Sequence, residues 1–150
     1  MPAQPARIAT RRARLADAPA IAELSGQLGY PACPQEVAER LARLLRRPHD
    51  TAVLIAESPT HEVIGWLHVS LLPLLEVPLR AEMNSFIVAE GQRSLGAGAK
   101  LLEAAEQWAK KKGCKSISAR SNVIRERAHA FYVRNGFENY KTQKAFRKDL

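Results

Sequence analysis

Along this chain the spacing of apolar positions switches repeatedly between two repeats, and each switch marks an element. Residues 7–14 alternate loosely, which predicts a first strand. From Asp17 the spacing becomes helical, with Ile21, Leu24 and Leu28 one turn apart and Gly29 as the stop. Asp17 is expected to cap that helix. Residues 30–34, with prolines at both ends of a short run, read as a connector. Val37, Leu41, Leu44 and Leu45 then stripe a second helix whose other face carries Glu36, Glu39, Arg40, Arg43 and Arg47, and Pro48 lies beyond its end.

Strands are predicted over 51–57 and 63–71, joined by a hairpin turn at 58–62. Residues 73–78 break the pattern as a bulge or loop, and 80–88 return as a strand. Leu101, Leu102, Ala105, Trp108 and Ala109 stripe a long helix closed by Gly113. A strand over 115–120, a helix over 125–135 closed by Gly136, and an edge strand over 137–146 complete the order β-α-α-β-β-β-α-β-α-β. The β-β-β stretch must be antiparallel and the later β-α-β crossover parallel, so the pattern predicts one α/β domain over 1–150 with a mixed sheet.

With 150 residues the chain can bury a core without disulfides or metals. Its 46% hydrophobic and 25% charged residues are ordinary for a water-soluble domain. No apolar run reaches the roughly 18 residues of a membrane helix, and Met-Pro-Ala-Gln-Pro lacks a signal-peptide core. Cys33 and Cys114 have no metal-ligand spacing, so free thiols, no metal and a cytoplasmic location are expected. Twenty-three Lys and Arg against 15 Asp and Glu leave a net charge of +8, which suits an anionic partner. The basic residues are dispersed over helix faces and element ends, which disfavours a general nucleic-acid binder.

One segment carries chemistry. After the apolar run Phe86-Ile87-Val88, the chain reads Arg93-x-x-Gly96-x-Gly98 and opens directly into the long helix. Glycine lets a backbone approach a ligand closely, and a helix start offers unpaired N–H groups to an anion such as pyrophosphate. Two glycines in a first turn cost about 1 kcal/mol each relative to alanine, so they call for a reason. A P-loop is excluded, because Ala97 stands where the lysine would be after Gly91 and Gly96. A dinucleotide fingerprint fits poorly, because Leu101 replaces the third glycine and the loop falls late in the chain.

The loop, the long helix, the next strand, Asn122 and the stretch Ala130-Phe-Tyr-Val-Arg-Asn-Gly-Phe137 together resemble the GNAT superfamily of acyl-CoA-dependent N-acetyltransferases. The element order is also similar to that family's, so the resemblance covers nearly the whole chain. It implies a GNAT-like α/β fold with a mixed sheet of six to seven strands and about four helices. It further implies acetyl-CoA as co-substrate, a primary amine as acceptor and direct transfer in a ternary complex. A homodimer is an assembly open to such a chain.

The resemblance also implies site residues. Backbone N–H groups of Arg93, Ser94, Leu95, Gly96, Ala97, Gly98 and Ala99 would hold the coenzyme pyrophosphate. The main chain of Phe86, Ile87 and Val88 would pair with the pantetheine arm and steady the oxyanion, while their side chains serve the core. Tyr132 would protonate the departing thiolate, and Asn122 would anchor the pantetheine amides or cap the next helix. Glu82, eleven residues before Arg93, is the expected base, as in histone-acetylating members; its plainer reading is an ion pair with Arg80 or a nearby lysine. His68 is a second candidate base, and His129 would orient Tyr132. A nucleophilic Cys114–His129 pair needs lysines to lower the thiol pKa, and direct transfer does not require it. The acceptor stays open among small amines, aminoglycosides, amino acids and protein amines. A non-catalytic acyl-CoA sensor and a basic nucleic-acid-associated protein are the alternative classes.

Overall fold

The computed structural model describes residues 7–150, with the side chains of Arg93 and Ser94 outside that description, as is the Met-Pro-Ala-Gln-Pro start. The chain groups into one unit that closes at Ala119 and another spanning Arg120–Leu150.

In the first unit, β1 (Ala9–Arg12) leads through a 3₁₀ turn (Leu15–Asp17) into α1 (Ala18–Gln27) and α2 (Pro34–Leu45). Then come β2 (Thr51–Glu57), β3 (Val63–Leu72), β4 (Arg80–Val88), a 3₁₀ turn (Glu90–Leu95), α3 (Ala97–Lys111) and β5 (Ser116–Ala119). The strands lie in the order β1-β2-β3-β4-β5. Pairing is antiparallel up to β4 and parallel between β4 and β5, as the hairpin and the crossover helix require.

The sheet is covered on both faces. On one, Val53 and Ile55 of β2 pack against Ile21 and Ala22 of α1 and Val37 and Leu41 of α2. On the other, α3 lies against β2, β3 and β4 and buries Leu101, Leu102, Ala105 and Trp108. Burial on both sides explains why β2 reads as a nearly continuous apolar run. Gly65 sits in a tight place: a Cβ there would meet the carbonyl of Ile87 on the neighbouring strand at 2.9 Å and Leu101 Cδ1 of α3 at 3.2 Å.

Helix ends follow local chemistry. α1 is followed by Gly29 at φ +92° and α3 by Gly113 at φ +79°, both left-handed conformations that glycine adopts without strain. The expectation for Asp17 needs correction. Its carboxylate does not cap α1 but turns back, accepting from the Arg14 N–H at 2.7 Å and from both terminal nitrogens of Arg11 at 2.8 Å. A bidentate guanidinium outcompetes a single helix N–H for the same oxygens. Arg11 Nε also donates to Glu57 at 2.5 Å, so one guanidinium joins β1, the end of β2 and the start of α1.

The second unit holds α4 (Glu126–Arg134), followed by Asn135 and by Gly136 at φ +88°. The edge strand expected over 137–146 is absent, so among the described residues the sheet has five strands rather than six to seven. The apolar residues there (Phe137, Tyr140, Ala145, Phe146) do not alternate, and from Glu138 onward the stretch is exposed. A strand without a period-two buried face gains little by pairing. Among the described residues no helix is long and apolar enough to cross a membrane.

Arg11 holds the Asp17 carboxyl below its usual range and, with His61, does the same for Glu57. The unfolded chain therefore binds protons more readily. Stability from these groups is present above about pH 4 and falls as pH drops through their native values. Asp17→Asn should cost about 1–3 kcal/mol at pH 7, less than a fully buried pair because Arg11 stays partly exposed. It should also flatten the acid limb in urea melts from neutral to acid pH, and an unaltered acid slope would contradict the assignment.

Candidate active site

The strand β4 carries the decisive irregularity. Its ladder with β3 pairs Met83 with Val69 and then Ser85 with His68, so Asn84 is an extra residue on β4. A regular strand would turn Glu82 and Ser85 to opposite faces. The bulge brings them to the same one, since Glu82 pairs with Ser70 and Ser85 with His68. Asn84 Nδ2 donates to Ser70 Oγ at 2.8 Å and pins the irregular residue to that side. Immediately before the bulge, at Met83↔Ala119, the parallel ladder with β5 stops, while β4 runs on to Val88. Bulges increase local twist and re-aim a strand, so this is where β4 departs from its neighbour.

A cavity of about 250 Å³ opens on the α1 and α2 side of the sheet. Tyr30, Arg40, Trp66, His68 and Ser85 line it beside aliphatic side chains such as Leu41 and Val53. It meets β4 at Ser85, next to the bulge. Glu82 is buried on the same face but does not line the cavity; His68 does.

The hydrogen bonds of His68 fix its tautomer. Thr51 Oγ1 lies 3.0 Å from the Val69 carbonyl, which can only accept, so the hydroxyl hydrogen goes there. The same oxygen lies 2.7 Å from His68 Nε2 and accepts the ring hydrogen. The reverse arrangement would set two oxygen lone pairs against each other. Nδ1 is therefore the ring's acceptor, and burial pushes the imidazole pKa below its ordinary value, which keeps it neutral.

At the far end of β4, Ile87 is buried and Phe86 and Val88 are half-buried, in keeping with core side chains on a strand whose main chain is of interest. Leu95 is exposed, Gly96 takes φ +82°, and α3 begins at Ala97 with no capping side chain. Ala97 and Gly98 are buried and Ala99 is exposed. The first intrahelical bond there runs from Lys100 N–H to the Gly96 carbonyl, at 3.1 Å. The N–H groups of Ala97, Gly98 and Ala99 thus precede the helix's own acceptors, the arrangement that receives an anion. Any side-chain role of Arg93 or Ser94 lies outside the described residues.

In the second unit, Tyr132 packs edge-on against Phe131, with ring centroids 5.8 Å apart, and against Phe137 at 5.4 Å. Burial pushes its phenol pKa up, opposed by the charge of Arg125. Asn122 Oδ1 accepts from the Ile124 N–H at 3.2 Å, a turn-forming role, and its carbonyl accepts from His129 Nε2 at 2.9 Å. His129 is thus tied to the turn before α4. Burial raises the Cys114 thiol pKa, which lends no support to the nucleophilic pair with His129 that direct transfer already made unnecessary. Among the described residues no three His, Cys, Asp or Glu side chains cluster as a metal site.

The sequence pattern of the acetyltransferase (GNAT) family matches residues 18–137. The chain belongs to the GNAT acetyltransferase family. GNAT members are acetyl-CoA-dependent N-acetyltransferases, so the expected enzyme class and α/β fold hold. This GNAT chain is 30% identical over 118 residues to the aminoglycoside N(6')-acetyltransferase type 1 of Klebsiella aerogenes, covering 77% of this chain and 76% of that one. It is similar in fold, at TM-score 0.83, to the aminoglycoside antibiotic 6'-N-acetyltransferase AAC(6')-Ih of Acinetobacter baumannii, with 18% identity over 95% of this chain and 99% of that one. The glucosamine-6-phosphate N-acetyltransferase of Arabidopsis thaliana matches at TM-score 0.80 and 19% identity, over 95% and 99% of the two chains.

Thr51, Ser85, Tyr30, Arg40 and Trp66 escaped the reading of the sequence. A bulge is a mismatch between two strands, and neither strand's pattern reports it. Nitrogen-15 NMR of the histidines should find His68 neutral, with its hydrogen on Nε2, throughout pH 7–8. Thr51→Val should scramble that tautomer, and an Nδ1–H signal in the unaltered protein would refute the network.

Proposed function

We propose that this chain is a cytoplasmic, single-domain N-acetyltransferase that moves an acetyl group from acetyl-CoA to a primary amine by direct attack, without an acyl-enzyme. The observation that carries the reading is the bulge at Asn84, where β4 outruns β5 beside a cavity that reaches Ser85. A strand that outruns its partner offers an edge along which the amides of a pantetheine arm can add as a further strand. The uncapped, glycine-led start of α3 follows β4 and suits the pyrophosphate through the N–H groups of residues 93–99. The coenzyme's thioester would then lie at the bulge, where a cavity-bound amine can reach it.

An amine is a cation at neutral pH and must lose a proton before it attacks. Glu82 and His68 are the candidates, and the geometry favours His68, a neutral ring with an accepting Nδ1 in the cavity wall. Glu82 is the second reading, on the same sheet face. The electron pair of the amine adds to the thioester carbon, and main-chain N–H groups of β4 steady the oxyanion. As the C–S bond breaks, Tyr132 gives its phenol proton to the thiolate, and the adduct nitrogen sheds its extra proton to solvent, from which the phenolate is reprotonated. Free thiols at Cys33 and Cys114 accord with a reducing compartment.

Acetyl-CoA should raise the melting temperature, and no shift at saturation would remove the coenzyme site. Tyr132→Phe should lower kcat at least tenfold while acetyl-CoA affinity stays within about twofold; unchanged turnover would retire its role. His68→Gln should lower kcat on the order of a hundredfold and erase the rise of kcat below pH 6.5. If Glu82→Gln does this and His68→Gln does not, the base is Glu82.

A further inference from the structure

The cavity wall contains chemistry that bears on the acceptor. No carboxylate lines it among the described residues; the charged group is Arg40 of α2, which forms no salt bridge among those residues. Ser25, another lining residue, spends its hydroxyl hydrogen on the Ile21 carbonyl at 2.8 Å. His68 is neutral, and the remainder is largely aliphatic and aromatic. At about 250 Å³ the space falls below the roughly 300–1,000 Å³ typical of drug-sized ligands. An aminoglycoside has several rings and several ammonium groups. Such a polycation would enter a small, apolar space whose lining charge among the described residues repels it, with no lining carboxylate to offset its desolvation.

We propose that the acceptor is a compact amine with an apolar or aromatic body and a carboxylate, the carboxylate meeting Arg40 at the mouth and the body lying against Trp66, Leu41 and Val53. This rests on the acetyl-transfer reading and deepens it. Arg40 offers a planar fork that matches a carboxylate in two-point contact. Its exposed place on α2 sets it at the solvent side, whereas Ser85, next to the bulge, belongs to the sheet wall, where acetyl transfer as proposed would place the amine. A molecule spanning these two points carries its anion at one end, its amine at the other and its apolar bulk between. The pairing also orients the amine, because the cationic Arg40 turns the ammonium end inward.

The test compares phenylalanine, phenethylamine and kanamycin, by calorimetric titration into the CoA-bound protein and by thiol release with acetyl-CoA. Phenylalanine should bind roughly ten- to a hundredfold more tightly than phenethylamine, the value of a charge-assisted contact, with kanamycin weakest. Arg40→Gln should bring the first two within about threefold of each other, and Arg40→Lys should restore part of the gap. Tightest binding by kanamycin, or a gap that survives in Arg40→Gln, would overturn the proposal. Thiol release fastest with kanamycin would overturn it while leaving acetyl transfer standing. The expected binding order without any thiol release would uphold the pocket and defeat the catalytic reading.

Discussion

The extra residue at Asn84 is the constraint on which the site depends. Without it, β4 would alternate regularly, Ser85 would face α3, and the cavity wall would lose its contact with the strand. The bulge also coincides with the end of the β5 ladder, so one mismatch both aims a side chain and separates two strands. Asn84 is an apt residue for that place: its short amide reaches Ser70 and replaces part of the disturbed pairing.

Around this point the fold is rigid where it must be. α3 buries its stripe against one face and holds the glycine-led turn at the end of β4, while Gly65 lets the layers close tightly. On the opposite face α1 and α2 leave a space instead of closing it. The packing is thus asymmetric: α3 is buried against one face of the sheet, and α1 and α2 frame a cavity on the other. Arg11 secures the opposite edge of the sheet by drawing Asp17 and Glu57 together.

Kinship and cavity chemistry speak to different questions. Membership in the GNAT family accounts for the donor and the class of reaction, which depend on a strand edge and a helix start common to the fold. Acceptor choice depends on side chains that line one pocket, and relatives at about 30% identity need not share them. The absence of lining carboxylates among the described residues therefore counts for more than the aminoglycoside named for a relative.

By itself the amino-acid sequence determined the elements of the first unit to within a few residues, the mixed sheet and the glycine-led turn that opens α3. These follow from local spacing, glycine positions and connection lengths, all of which are written along one strand or helix at a time. It misjudged residues 137–146, where four apolar residues without alternation suggested a strand that has no pairing face, and Asp17, whose carboxylate is taken by the guanidinium of Arg11 on β1. Only the tertiary structure decided the bulge, the tautomer of His68 and the meeting of Arg40, Trp66 and Ser85 around one cavity. Each of those is a relation between segments far apart in sequence, and no periodicity within a segment encodes it.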